Sequence, residues 1–109
     1  MLANNTNIFS YNVLDDIGVG YCKNVCLKKL LDLGCKHIFM IEDDVDITND
    51  DVFNQFILTA HEFNIGHMNW NSIPSVKNNA IYTIISNDIA IDICSRLCGS
   101  FSYFSREAL

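Results

Sequence analysis

The sequence has one proline and five glycines in 109 residues. That scarcity excludes a linker-rich or low-complexity chain, which is built from Pro, Gly and polar residues too sparse in apolar surface to form a core. Positive charge is also scarce, with seven Lys and Arg against thirteen Asp and Glu and a net charge of −6. Nucleic acid and anionic membrane surfaces are held by a basic face, so this balance argues against both as partners. No apolar run approaches the roughly 20 residues that span a bilayer. The opening residues MLANNTNIFS carry neither the basic start nor the apolar stretch of a secretory signal. The reading is a cytoplasmic chain with no transmembrane segment. Its five cysteines, Cys22, Cys26, Cys35, Cys94 and Cys98, are an odd number without a secretory signal, which argues against a disulfide framework. Cys22/Cys26 and Cys94/Cys98 each enclose three residues, not the two of a zinc knuckle, so buried free thiols are expected.

Half of the residues are hydrophobic, enough for one compact domain over 1–109. Residues 7–14 (NIFSYNVL) read as a strand, and 15–20 as a turn with two glycines. Residues 21–33 place Val25, Cys26, Leu27, Leu30, Leu31 and Leu33 on a helical stripe, with Gly34 as the natural residue just past the end. The apolar run HIFMI, residues 37–41, reads as a buried strand. Strand, turn, helix and strand in this order predict a right-handed unit with parallel strands. Asn49 is a good cap for a helix whose apolar face is Val52, Phe53, Phe56, Ile57 and Ala60, ending near 64–66. Asp50 and Asp51 fall where the helix dipole favours acids and need no catalytic role. A short strand is predicted at 67–70, a polar loop at 71–79, and a hairpin from 80–85 through an Asn87-Asp88 turn to the alternating run 89–94, with a helix over 88–97 as the competing reading. Residues 99–105 read as an aromatic and small-residue stretch, and 105–107 as the start of a helix.

The strand at 37–41 runs directly into Glu42, Asp43 and Asp44. A buried strand cannot carry three carboxylates into a core, so the acids belong just past its carboxyl end. In open α/β sheets that end is where ligands bind. The bland alternative is a solvated acidic turn. Three chemistries use acids in such a place. An EF-hand loop starting at Asp44 needs Gly at its sixth position and Glu at its twelfth, but Asn49 and Gln55 stand there, which excludes it. Asp44-Val45-Asp46-Ile47-Thr48 has the D-x-D-x-T spacing of haloacid-dehalogenase-type phosphatases, with Asp44 as nucleophile and Asp46 as acid/base. In that family the apolar strand directly precedes the first Asp, whereas Glu42 and Asp43 intervene here. The third chemistry is a metal-bridged nucleotide-sugar site, in which acid-x-acid carboxylates hold a divalent cation against a diphosphate.

Residues 16–44 resemble the central block of GT-A fold glycosyltransferases, especially the family 2-like group. Asp16-Ile17-Gly18 stands for its N-x-G turn, Cys22-Lys23-Asn24 for its helix start, Gly34 for its small-residue turn, and Ile38 to Ile41 followed by Glu42-Asp43-Asp44 for its strand and D-x-D. Gly99-Ser100-Phe101 with Arg106 and Leu109 resembles the segment before that family's acceptor loop. The resemblance implies an α/β, GT-A-like three-layer sandwich, truncated at both ends. It implies transfer of a sugar from a nucleotide-diphosphate donor to a glycan or other hydroxyl acceptor. It implies Mg²⁺ or Mn²⁺ at Asp44 and Glu42, with Asp16, Lys23, Asn24, Glu42 and Asp43 around the nucleotide. Two departures stand out: Glu42 replaces the usual first Asp, and Asp16 the usual Asn. The family's nucleobase-gripping strand and helix would precede Met1, and its catalytic base would follow Leu109. The alternative that follows is a non-catalytic remnant or interaction domain of the same fold.

Overall fold

The structure, a computed structural model, describes residues 18–70, 80–95 and 100–109. The expected strand at 7–14, the loop at 71–79, Asp16 and Cys98 lie outside those residues. The chain divides into two compact units, Met1–Cys35 and Lys36–Leu109. The fold is mixed α/β.

The first unit contains helix α1, Val19–Asp32. It starts two residues before the position read from the sequence. Gly18 takes the N-cap position at φ 90°, a backbone conformation open to glycine and costly for other residues. Its C-terminal end is as expected: Gly34 sits at φ 81°, the Gly34 N–H donates to the Leu31 carbonyl, and the Cys35 N–H donates to the Leu30 carbonyl. This paired bonding satisfies carbonyls that the last turn would otherwise leave open. Lys28 and Asp32, one turn apart, form an exposed ion pair at 3.0 Å. Val25, Leu27, Leu30 and Leu31 of the expected stripe are half-buried, while Cys26 and Leu33 are exposed.

The second unit is built on a three-stranded sheet in the order β1-β5-β2, formed by β1 His37–Ile41, β5 Phe101–Ser105 and β2 His67–Asn69. Between β1 and β2 the chain forms helix α2, Asp51–Phe63. Both outer strands pair antiparallel to β5, in the registers Phe39↔Tyr103 and Met68↔Tyr103. β1 and β2 therefore run parallel to each other with β5 inserted between them, a split β-α-β arrangement. Every pairing among the described residues is antiparallel. The parallel unit expected from 7–14, 21–33 and 37–41 has its first strand outside the described residues. β5 is also the element that the sequence reading leaves unassigned, since 99–105 read only as aromatic and small.

The alternation of the strands explains the core. Phe39, Phe101 and Tyr103 share the sheet face that α2 covers with Phe56 and Ala60. Val52, Phe53, Ile57 and Met68 pack around them. Phe39 is the hub, its ring 4.9 Å from Phe53, 5.3 Å from Tyr103 and 6.1 Å from both Phe56 and Phe101. Tyr103, only 1 % exposed, keeps its hydroxyl satisfied at 2.9 Å from His37 Nδ1. Ile38 and Ser102, on the opposite face, are buried as well. A sheet with buried residues on both faces has strands that read as continuous apolar runs, as HIFMI does.

α2 begins as the sequence predicts. Asn49 Oδ1 accepts the Asp51 N–H at 3.0 Å, although Asn49 stands one residue ahead of the cap position, which Asp50 occupies. The helix closes at Asn64, which adopts the left-handed conformation at φ 52°. Gly66 follows in close quarters: its carbonyl accepts the Ser105 N–H at 2.8 Å, and Ser105 leads into the single 3-10 turn Arg106–Ala108.

A second sheet is the hairpin of β3, Ala80–Ser86, and β4, Ile89–Cys94. Asn87 and Asp88 have φ 48° and 63°, as the tight two-residue hairpin turn requires. The turn is tied to α2, since Ser86 Oγ and Asn87 Nδ2 both donate to Glu62 Oε1, at 2.6 and 2.8 Å. The free cysteines are less enclosed than expected: Cys22, Cys35 and Cys94 are half-buried and Cys26 is exposed. Cys22 and Cys26 lie on α1, Cys35 just past its end and Cys94 at the end of β4, not in the aromatic core.

Candidate functional site

The acids after β1 stand where the sequence places them. The Glu42 N–H donates to the Ser100 carbonyl at 3.0 Å, extending the β1–β5 ladder by one bond. The chain then turns, and the Val45 N–H donates back to the Glu42 carbonyl at 3.2 Å. Asp43 and Asp44 are thus the two corner residues of a four-residue turn. Val45 and Ile47 pack against the aromatic core and pin the far side. Glu42, Asp43, Asp44 and Asp46 are all exposed. The turn is held by backbone bonds and by its apolar neighbours, which leaves the carboxylates facing solvent.

The topology decides what lies beside these acids. Because β1 and β2 run parallel, their carboxyl ends lie on one edge of the sheet. Trp70 follows β2 there, its N–H donating to the Phe101 carbonyl at 3.0 Å. It is 51 % exposed. One strand, β5, separates the acidic turn from Trp70, a gap of two strand spacings or about 10 Å. Between them Asn69 Nδ2 donates to Ser102 Oγ at 2.9 Å. The edge thus presents carboxylates at one corner and an aromatic face at the other.

Lys23 is half-buried and Asn24 exposed on α1, in the first compact unit, while Glu42, Asp43 and Asp44 belong to the second. Among the described residues no group of three or more His, Cys, Asp or Glu side chains converges as a metal cage. His61 and His67 are exposed, and the His67 ring stacks on Phe104 at 4.4 Å. Sequence reasoning missed the role of β5, at whose start Ser100 and Phe101 fasten both corners of the edge. The signal for it was present in the alternation of Phe101 and Tyr103 with Ser102.

No helix among the described residues is long and apolar enough to cross a membrane. No family model, no curated protein and no solved structure matches the chain.

Proposed function

We propose that the chain is a GT-A-like glycosyltransferase, or part of one, whose Glu42–Asp44 turn holds the diphosphate of a nucleotide-sugar donor with the help of Mg²⁺ or Mn²⁺. The observation that carries this reading is the exposed acid-x-acid turn at the carboxyl end of β1, on the same sheet edge as the exposed Trp70. The parallel relation of β1 and β2, with α2 between them in the chain, supports an α/β reading of the sheet that carries it.

The donor set fits the cation. Mg²⁺ keeps several waters and is held by one or two carboxylates plus substrate phosphates, not by an all-protein cage. Asp44 and Glu42, both exposed on the turn, are the carboxylates that would hold it. When bound, the metal neutralises charge on the leaving nucleoside diphosphate. Glu42 would alternatively meet the ribose, and Asp43 is a further nucleotide contact that the resemblance implies. Trp70 offers a flat apolar face on which a sugar ring stacks. The resemblance further implies Asp16, Lys23 and Asn24 as nucleotide-binding residues, with Lys23 as the cation for the diphosphate, and a glycan or other hydroxyl compound as the acceptor.

Trp70 is the only tryptophan, so its fluorescence reports directly on this edge. Titration with UDP, GDP and dTDP, each with and without Mn²⁺, should change the emission for at least one nucleotide, and only with metal. Silence toward all three in the presence of Mn²⁺ would overturn the proposal and leave a non-catalytic α/β domain.

A further inference from the structure

A groove of about 790 Å³ opens in the second unit between α2 and the end of β2 on one side and the hairpin on the other. Along the hairpin its lining is unbroken, every residue from Asp88 to Cys94. A sheet face is lined by every second residue, so a consecutive run marks a strand edge. The register says which groups that edge offers. Ser86↔Ile89 flanks the two-residue turn, and Ile84↔Ile91 lies two pairs further along. Those pairs exchange hydrogen bonds, and the intervening Ile85↔Ala90 and Thr83↔Asp92 do not. The N–H and C=O of Ala90 and Asp92 therefore point out of the hairpin, away from β3. β4 ends its sheet, and among the described residues the one contact to those groups is Cys94 Sγ, 3.9 Å from the Asp92 carbonyl.

The side chains around this edge define what fits it. Ile89, Ile91 and Ile93 share one face of β4 and line the groove, with the exposed Leu58 of α2 across from them. The charged residues of the lining are Asp88 and Asp92, with no Lys or Arg. An edge with no Lys and no Pro is left open to strand addition. We propose that β4 is the receptor strand for an extended, basic segment of a partner protein. Its aliphatic residues pack on the isoleucine face, and alternate Lys or Arg residues lie on the other face beside Asp92. Main-chain bonds to Ala90 and Asp92 provide affinity, and the alternation provides selectivity. The charge of the edge and the net −6 of the chain select a cationic partner over an acidic one or a second copy of this chain.

The test uses the full chain and a synthetic peptide of about eight residues alternating Lys and Val, long enough to span the edge of β4. Backbone amide shifts should report saturable binding centred on β4. A Glu-Val peptide should not bind. Methylating the peptide amides that face Ala90 and Asp92 should weaken binding about tenfold, as should Ala90→Pro, which removes an outward N–H but no bond to β3. Asp92→Lys should abolish binding, and Asp44→Asn should leave it unchanged, so this site stands or falls apart from the acidic turn. The inference is overturned by no binding to a chain whose β3–β4 amides are protected from exchange. Equal binding of the methylated peptide or of the Glu-Val peptide would also overturn it, as would dimerisation that occupies the edge with a second copy.

Discussion

Replacing Gly66 with alanine tests the packing at the amino end of β2, the end of the sheet opposite the acids. Gly66 leads into β2, and a Cβ built there would lie 2.7 Å from Ala108 Cβ and 2.8 Å from Ser105 Oγ. The serine hydroxyl can rotate away. The Ala108 methyl cannot move without the 3-10 turn, and that turn is tied through Arg106 N–H to the Lys36 carbonyl at 2.9 Å. Gly66 in turn is tied to Ser105 by the 2.8 Å bond to its carbonyl, so neither side yields freely. Overpacking of this kind costs about 1–3 kcal/mol. For a chain of this size each kcal/mol lowers the melting temperature by about 4 °C, so the expected fall is roughly 4–12 °C. A thermal melt followed by circular dichroism reads it. The double variant Gly66→Ala with Ala108→Gly should recover most of the loss, because it removes the methyl that the new Cβ meets. A single variant as stable as the parent, or a double variant no better than the single, would refute this account of the contact.

Asp44→Asn should weaken Mn²⁺-dependent nucleotide binding about tenfold or more, since a lost charged contact is worth about 1.5–3 kcal/mol. Without metal its melting temperature should hold or rise, because three crowded carboxylates become two; a lowered melting point with unchanged metal response would end the metal-site proposal. Phe39→Ala removes the ring that touches four other aromatics and should cost about 3 kcal/mol, read as a lower urea midpoint. Tyr103 gives a pH prediction. Burial, then the Glu107 carboxylate, raise its phenol above the ordinary 10.0. The native state therefore holds that proton more tightly than the unfolded chain does. Its contribution to stability is complete below about pH 10 and is lost as pH climbs from there through the raised native value. Urea midpoints across that range should fall for the parent and fall less for Tyr103→Phe, which has no phenol to titrate.

Signals carried within a few neighbouring residues were legible in the sequence. The strand at His37–Ile41, the helix after Asn49 and the hairpin around Asn87-Asp88 form where apolar period, capping and turn chemistry place them. The acids had to stand just beyond β1, because carboxylates are excluded from a core. β5 was not legible in this way. Phe101 to Ser105 is a strand because β1 and β2, far away in the chain, supply its hydrogen-bond partners on both sides. Phe101 and Tyr103 become the centre of the core only once α2 lies over them. That insertion also decides what stands beside the acids. Sequence spacing puts Asp44 and Trp70 far apart, and no local rule joins them. Two parallel strands held apart by an antiparallel third bring their ends to one edge, because strand direction and pairing are fixed by contacts between distant segments.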